Sequence, residues 1–157
     1  MNTKDLKDLQ LRAEHGEAST QLELGKMYYE GKGVPRHYEK ARNLYFLESA
    51  KQDVMEAQFY LSVMYYEGKG GLKNPVQADY WLSKAVDAGF ADAQLYLGKM
   101  REKQKKCIDA YKWFSLAAAQ GNKEAIENLE RLEKEMPSED IAKAQNQSAE
   151  WHEKHQK

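Results

Sequence analysis

The heptapeptide Met27-Tyr28-Tyr29-Glu30-Gly31-Lys32-Gly33 recurs without change as Met64-Tyr65-Tyr66-Glu67-Gly68-Lys69-Gly70, 37 residues further along the chain. Upstream of each copy, Thr20-Gln21-Leu22-Glu23-Leu24-Gly25 matches Ala57-Gln58-Phe59-Tyr60-Leu61-Ser62, and a third version follows as Ala93-Gln94-Leu95-Tyr96-Leu97-Gly98. A degenerate fourth begins at Ala125-Ile126-Glu127-Asn128-Leu129. The equivalent leucines at 24, 61, 97 and 129 are spaced by 37, 36 and 32 residues. Repeats of this length are stacked helical hairpins, each covering the face its neighbour leaves bare.

Periodicity and punctuation agree on two helices per unit. Thr20, Leu24, Met27 and Tyr28 fall at i, i+4, i+7 and i+8, one helical face, and Ala57, Leu61, Met64 and Tyr65 repeat it. Gly31 and Gly68 end those helices, since glycine takes a left-handed C-cap at no steric cost. The second helix starts after Pro35 and again at Asn74-Pro75, an N-cap followed by proline at the first helical position. Its buried face is read as Ala41, Leu44 and Phe46 or Leu47 in the first unit, Ala78, Trp81, Leu82 and Ala85 in the second, and Ala110, Trp113, Phe114 and Ala117 in the third. Gly89 and Gly121 end the later two helices, whereas the third hairpin turns through Arg101-Glu102-Lys103-Gln104-Lys105-Lys106 without a glycine.

Composition supports the same architecture. Three Ile, five Val and two Thr are all the β-branched residues in 157, which favours helix over sheet. The expected fold is all-α: one right-handed α/α solenoid, or superhelix, of about eight helices in a single repeat domain spanning 1–157. A capping helix covers 4–16, repeats 17–53, 54–89 and 90–121, a degenerate fourth-repeat helix 122–136, and a C-terminal capping helix 138–155. Leu6, Leu9 and Ala13 form the inner stripe of the first cap, and Ile141, Ala144, Ser148 and Trp151 that of the last.

The motif resembles that of the Sel-1-like repeat (SLR) family, a branch of the tetratricopeptide-like (TPR-like) helical hairpins, which runs A-x-x-x-L-G-x-x-Y-x-x-G-x-G-V and then A-x-x-W and A-A-x-x-G. Leu24, Gly25, Tyr28, Gly31, Gly33 and Val34 match it, as do Leu61, Tyr65, Gly68 and Gly70. Ala78, Trp81, Ala85 and Gly89 fit the second-helix portion, and so do Ala110, Trp113, Ala117, Ala118 and Gly121. Ser62, the additional Gly71, and His37, Asn74 and Lys106 depart from it. The resemblance implies a bacterial adaptor for signalling, envelope or secretion complexes. Cysteine-rich secreted members reported to bind or hydrolyse β-lactams carry a cysteine pair per repeat; with Cys107 alone this chain lacks that signature.

Charge excludes some functions. The chain has 24 basic and 25 acidic side chains, a net −1, which is unlike the basic excess of a nucleic-acid binder. The start has no apolar core of signal-peptide length, and no stretch approaches the ~20 apolar residues of a membrane span, so a cytoplasmic, monomeric protein without membrane contact is expected.

Candidate chemistry reduces to structure in each case. Gly31-Lys32-Gly33 and Gly68-Lys69-Gly70-Gly71 follow a helix and end it, whereas a phosphate loop follows a strand and opens one. His152 and His155 are three apart with no adjacent third ligand, and read as a solvated tail rather than a metal site. His15 and His37 flank helix ends. Cys107 reads as a small, semi-buried residue at a helix start. The run holding Lys99, Arg101, Lys103, Lys105 and Lys106 complements a helix C-terminus. No metal or cofactor is expected. The leading function is a non-catalytic scaffold that binds a protein or peptide along the concave face of the first helices, at Glu23, Lys26, Glu30, Tyr60, Val63, Glu67, Tyr96 and Lys99. Tyr60 and Tyr96 are read either as groove residues or as padding between hairpins. The alternatives are a hydrolase of β-lactamase or esterase type and an immunity-type protein that blocks one effector.

Overall fold

The computed structural model describes residues 2–156. Nine helices account for the regular structure of the described residues: α1 (Thr3–Glu14), α2 (Ala18–Glu30), α3 (38–51), α4 (Met55–Glu67), α5 (Pro75–Asp87), α6 (Ala91–Lys103), α7 (Cys107–Ala119), α8 (Lys123–Glu135) and α9 (Ser138–His155). This all-α repeat has one helix more than the count of about eight. The chain divides after Ala85, inside α5, into two compact units.

In the first unit the repeated face becomes the core. Leu24, Ala57, Leu61 and Met64 are wholly buried, with Thr20, Tyr28, Ala41, Tyr45, Phe46, Ala50 and Trp81 nearly or fully so. Each buried leucine contributes about 1.5–3 kcal/mol by leaving water. Met27 and Tyr65 are only half-buried, at the edge of the stripe, and so are Leu6 and Leu9 on the lone helix α1.

α3 departs from the expected register. Residues Lys40–Phe46 wind as a π-helix, and the Leu47 N–H reaches the Arg42 carbonyl five residues back. The wider turn takes up one extra residue. Leu44, read as core, is 52% exposed, whereas Tyr45, Phe46, Ser49 and Ala50 point inward. Ala41 is equivalent to Ala78 at an offset of 37, but Tyr45 and Phe46 correspond to Trp81 and Leu82 at 36. The residue by which the first spacing exceeds the second is therefore housed here.

Helix ends follow the sequence closely. Gly31 and Gly68 are left-handed, at φ 73° and 69°, and each N–H returns to a methionine carbonyl of the last turn. Asn74 caps α5 by accepting from the Gln77 N–H at 3.1 Å. Gly70 is required for another reason, close approach of backbone, and Gly71 lies against the Arg42 guanidinium. A Cβ on Gly70 would lie 2.5 Å from the Tyr38 carbonyl oxygen, and one on Gly71 1.8 Å from Arg42 Nη2. That buried arginine donates to the Leu72 carbonyl at 3.2 Å and lies 4.8 Å over the Tyr65 ring.

Buried glutamines cap the preceding helix. Gln21 Nε2 donates to the Ala13 carbonyl at 3.0 Å and Gln58 Nε2 to that of Ala50 at 3.2 Å, satisfying carbonyls that a helix end leaves open.

The second unit builds its core from Leu95, Ala110, Tyr111, Phe114, Ala117, Ala125, Leu132 and Ala144. Trp113, read as core, is half-buried beside Trp151 of α9, at 6.2 Å between rings. Asn122 caps α8 by accepting from the Ala125 N–H at 2.9 Å. α9 packs on α7, where Ser148 Oγ reaches the Lys112 carbonyl at 3.5 Å. In the glycine-free turn before α7, Lys105 takes the left-handed conformation itself, at φ 58°.

Candidate partner-binding surface

Once the leucines and small residues of each first helix are spent on the core, a fixed set of positions lies at or beyond the margin of the buried stripe. In the first unit these are Glu23, Lys26 and Glu30 on α2 and Tyr60, Val63 and Glu67 on α4. Glu23 is exposed, and Lys26, Glu30, Tyr60 and Val63 are half-buried. A shallow groove of about 280 Å³ runs along α2, lined by Ser19, Leu22, Glu23, Lys26, Met27, Glu30 and Lys32.

Much of the charge on this surface is matched within the chain. Lys26 Nζ contacts Glu56 at 2.8 Å, Glu30 contacts Lys32 at 2.7 Å, and Glu67 contacts Lys69 at 2.7 Å. The hydrogen bond to Glu56 raises the Lys26 pKa, and the one from Lys32 lowers that of Glu30. In the second unit Lys99, at the same repeat position as Lys26, pairs with Glu124 of α8. Lys26 and Lys99 thus each reach a glutamate in the first turn of the next first helix, a repeated link that single-helix periodicity cannot reveal.

The aromatic residues are tied to neighbours as well. Tyr60 stacks on Phe46 at 4.8 Å and meets Tyr29 edge-on at 5.5 Å. Its ring fills the joint between hairpins and leaves one edge outward; burial pushes its pKa up. Lys69 sits over the rings of Tyr29 and Tyr38 at 5.2 and 5.5 Å, and donates to the Tyr29 hydroxyl at 3.2 Å. Glu67 and Tyr29 both bond to its ammonium and raise its pKa. In the second unit Tyr96 and Lys99 line a hollow of about 550 Å³ with Met100, Glu102, Lys103 and Asn128. Its wall is braced by Arg131, 2.7 Å from Glu102.

Other residues singled out by sequence sit as follows. Lys32 projects with its side chain 80% exposed, and the glycine–lysine–glycine loops end helices rather than open them. His15 is the C-cap of α1, and His37 Nδ1 accepts from the Lys40 N–H at 3.3 Å. The tail is not simply solvated: His155 stacks on Trp151 at 3.9 Å, and its Nδ1 lies 2.8 Å from the Trp151 carbonyl. Cys107 is exposed rather than semi-buried, because the first residue of α7 lies outside the stripe formed by Ala110, Tyr111 and Phe114. Among the described residues no three His, Cys, Asp or Glu side chains gather as a metal site, and no helix is long and apolar enough to cross a membrane.

The family model described as Sel1 repeat matches residues 18–51, 56–90 and 91–122. Chitin synthase regulatory factor 4 of Schizosaccharomyces pombe is 31% identical over 128 residues, an alignment covering 77% of this chain and 19% of that protein. The crystal structure of c5321, a protective antigen of uropathogenic Escherichia coli strains displaying an SLR fold, superposes with a TM-score of 0.84 at 28% identity; it covers 98% of this chain and 34% of that one. A Sel1 repeat protein from Oxalobacter formigenes superposes with a TM-score of 0.67 at 33% identity, over 82% of this chain and 98% of its own. The chain therefore spans about a fifth of the curated yeast relative and a third of the E. coli protein.

Proposed function

Because the chain belongs to the Sel1 repeat family, a scaffold family whose repeats generally mediate protein–protein contacts, we propose that it is a non-catalytic adaptor. Its outward first-helix positions receive a protein or peptide partner. The observation that carries this reading is the composition of those positions: exposed charge and half-buried tyrosine stand together on α4, as Glu67 and Tyr60, and on α6, as Lys99 and Tyr96, while α2 offers the exposed Glu23. Aromatic rings beside charge bring large contact area at low entropic cost. In the first unit Glu23 and Glu67 offer side-chain heads to a partner, with Lys26, Glu30, Tyr60 and Val63 shaping the floor beside them; in the second unit the contact positions are Tyr96 and Lys99. The name of the yeast relative, a regulatory factor, fits a chain that acts on other proteins.

Photo-crosslinking amino acids at positions 23, 67 and 96, compared with position 40 on α3 and position 73 in the loop before α5, test the reading in the source cell. Crosslinks to one partner confined to the first-helix positions support it. Crosslinks only from 40 and 73 overturn the assignment of the face, and turnover of an ester or β-lactam by the pure protein overturns the non-catalytic role.

A further inference from the structure

We propose that Arg42 anchors a binding site for a phosphate dianion, taken either free or as a monoester carried on a larger molecule. Its place in the repeat directly follows the wholly buried alanine of each second helix: Arg42 after Ala41, Asp79 after Ala78, and Tyr111 after Ala110. Three chemistries at one position mean that the repeat itself does not call for an arginine. The other two are taken up within the chain, Asp79 by the Tyr66 hydroxyl and Tyr111 by Glu133. Arg42 is only 7% exposed, yet it pairs with no carboxylate among the described residues.

Burying a charge without a counter-ion is costly. What the chain supplies instead is partial: Nε donates to Asn43 Oδ1 at 3.1 Å, Nη1 to the Leu72 carbonyl at 3.2 Å, and the Tyr65 ring lies 4.8 Å away. Both N–H groups of Nη2 are left over. Nη2 is not sealed from solvent, and glycine at 71 leaves room for it where any Cβ would displace it.

The surroundings add to the positive field. Residues 36–42 and 67–73, which meet where Asn43 Nδ2 reaches the Gly70 carbonyl, carry five cationic side chains against the carboxylates of Glu39 and Glu67. Of those five, only Lys69 has a carboxylate partner among the described residues, Glu67. A guanidinium edge matches phosphate oxygens, and the surplus of charge favours a dianion over a single carboxylate. This is not a glycine-rich phosphate loop at a helix start: the anchor is a side chain of α3, and the glycines make room for it. The site uses none of the first-helix positions proposed for a partner, so neither reading depends on the other.

Titration of the ¹⁵N-labelled full chain with inorganic phosphate, against sodium chloride at matched ionic strength, provides the test. The Gly71 amide and the Arg42 Nε–H resonance should shift saturably with phosphate and with phenyl phosphate. A tighter grip on phenyl phosphate assigns the group to a monoester, and an equal or weaker one to the free ion. Acetate should bind at least about fivefold more weakly than phosphate. Arg42→Lys keeps the charge but loses the fork, and should weaken phosphate binding at least about tenfold. If that variant folds poorly, Lys40→Gln combined with Lys73→Gln, both exposed, removes two charges of the surplus. It should weaken binding about threefold or more with the circular dichroism unchanged. Shifts that chloride reproduces, shifts confined to residues outside 36–43 and 67–73, acetate binding as tightly as phosphate, or affinity unaltered in these variants overturns the proposal.

Discussion

Deleting Leu44 should leave this protein nearly as stable as it is. Removing one residue from the middle of a regular helix rotates everything beyond it by about 100° and carries the buried face out of the core. α3 is different because it already holds one residue too many, absorbed by the π-helical stretch Lys40–Phe46. Without Leu44, Ala41 stands three and four residues before Tyr45 and Phe46, the spacing Ala78 keeps to Trp81 and Leu82. Leu44 is 52% exposed, so the burial forfeited is under half of the ~1.5–3 kcal/mol of a buried leucine, or about 1 kcal/mol. Relaxation of the π turn to an α-helix offsets part of that. Deletion of Ser83 in α5, which has no surplus residue, should instead cost about 3–5 kcal/mol, as it displaces Trp81 or Ala85 from the core. Urea unfolding followed by far-ultraviolet circular dichroism gives both numbers. If the two deletions are equally damaging, the extra residue is not housed where the winding places it.

Gly98→Ala should lose about 1–2 kcal/mol despite alanine's better helix propensity, because its Cβ would sit 2.6 Å from the fully buried Phe114 ring. Combining it with Phe114→Leu should recover part of the loss, since Ser62 with Leu82 is the pairing at the same positions of the second repeat; additive losses in thermal melts would refute the contact. Lys105→Gly should raise stability by about 0.5–1 kcal/mol by relieving a left-handed lysine, and Asp53→Gly by less, as aspartate tolerates that conformation better. The hydrogen bond from Arg12, then one from Thr20, holds the Glu17 carboxyl down at about 2 against an ordinary 4.5. A lowered folded-state pKa means the pair stabilises above pH 4.5 and is lost as pH falls through about 2. In a ¹³C NMR titration Arg12→Gln should move the Glu17 midpoint up toward the usual carboxylate range, with the Thr20 hydrogen bond retaining part of the lowering, and an unmoved midpoint would show that Arg12 is not the cause.

The hairpins, their glycine ends and the leucine cores were legible because each is a local signal: period, cap or turn within a dozen residues. Leu44 was misread because counting at 3.6 residues per turn assumes uniform winding, and the spacing of 37 against 36 carried the correction without saying where it fell. The candidate surface was legible only as a set of directions. Periodicity showed that Glu23, Tyr60 and Lys99 turn away from their own helix's buried stripe. It could not show that the Tyr60 ring meets Phe46, or that Lys26 and Lys99 reach the next first helix, because those partners lie 14 to 30 residues away. Cys107 was placed by residue type, whereas its exposure follows from its angle on α7.

The twin heptapeptides leave the protein with an internal standard. Lys69 hangs over two tyrosine rings, while Lys32, in the same seven letters, projects into solvent. Ring currents should displace the side-chain resonances of Lys69 upfield, with Lys32 in the same spectrum marking the undisturbed position. The separation between the two signals then reports, without any label or reference compound, whether the first and second hairpins are docked. It should collapse when they part, even if every helix remains intact.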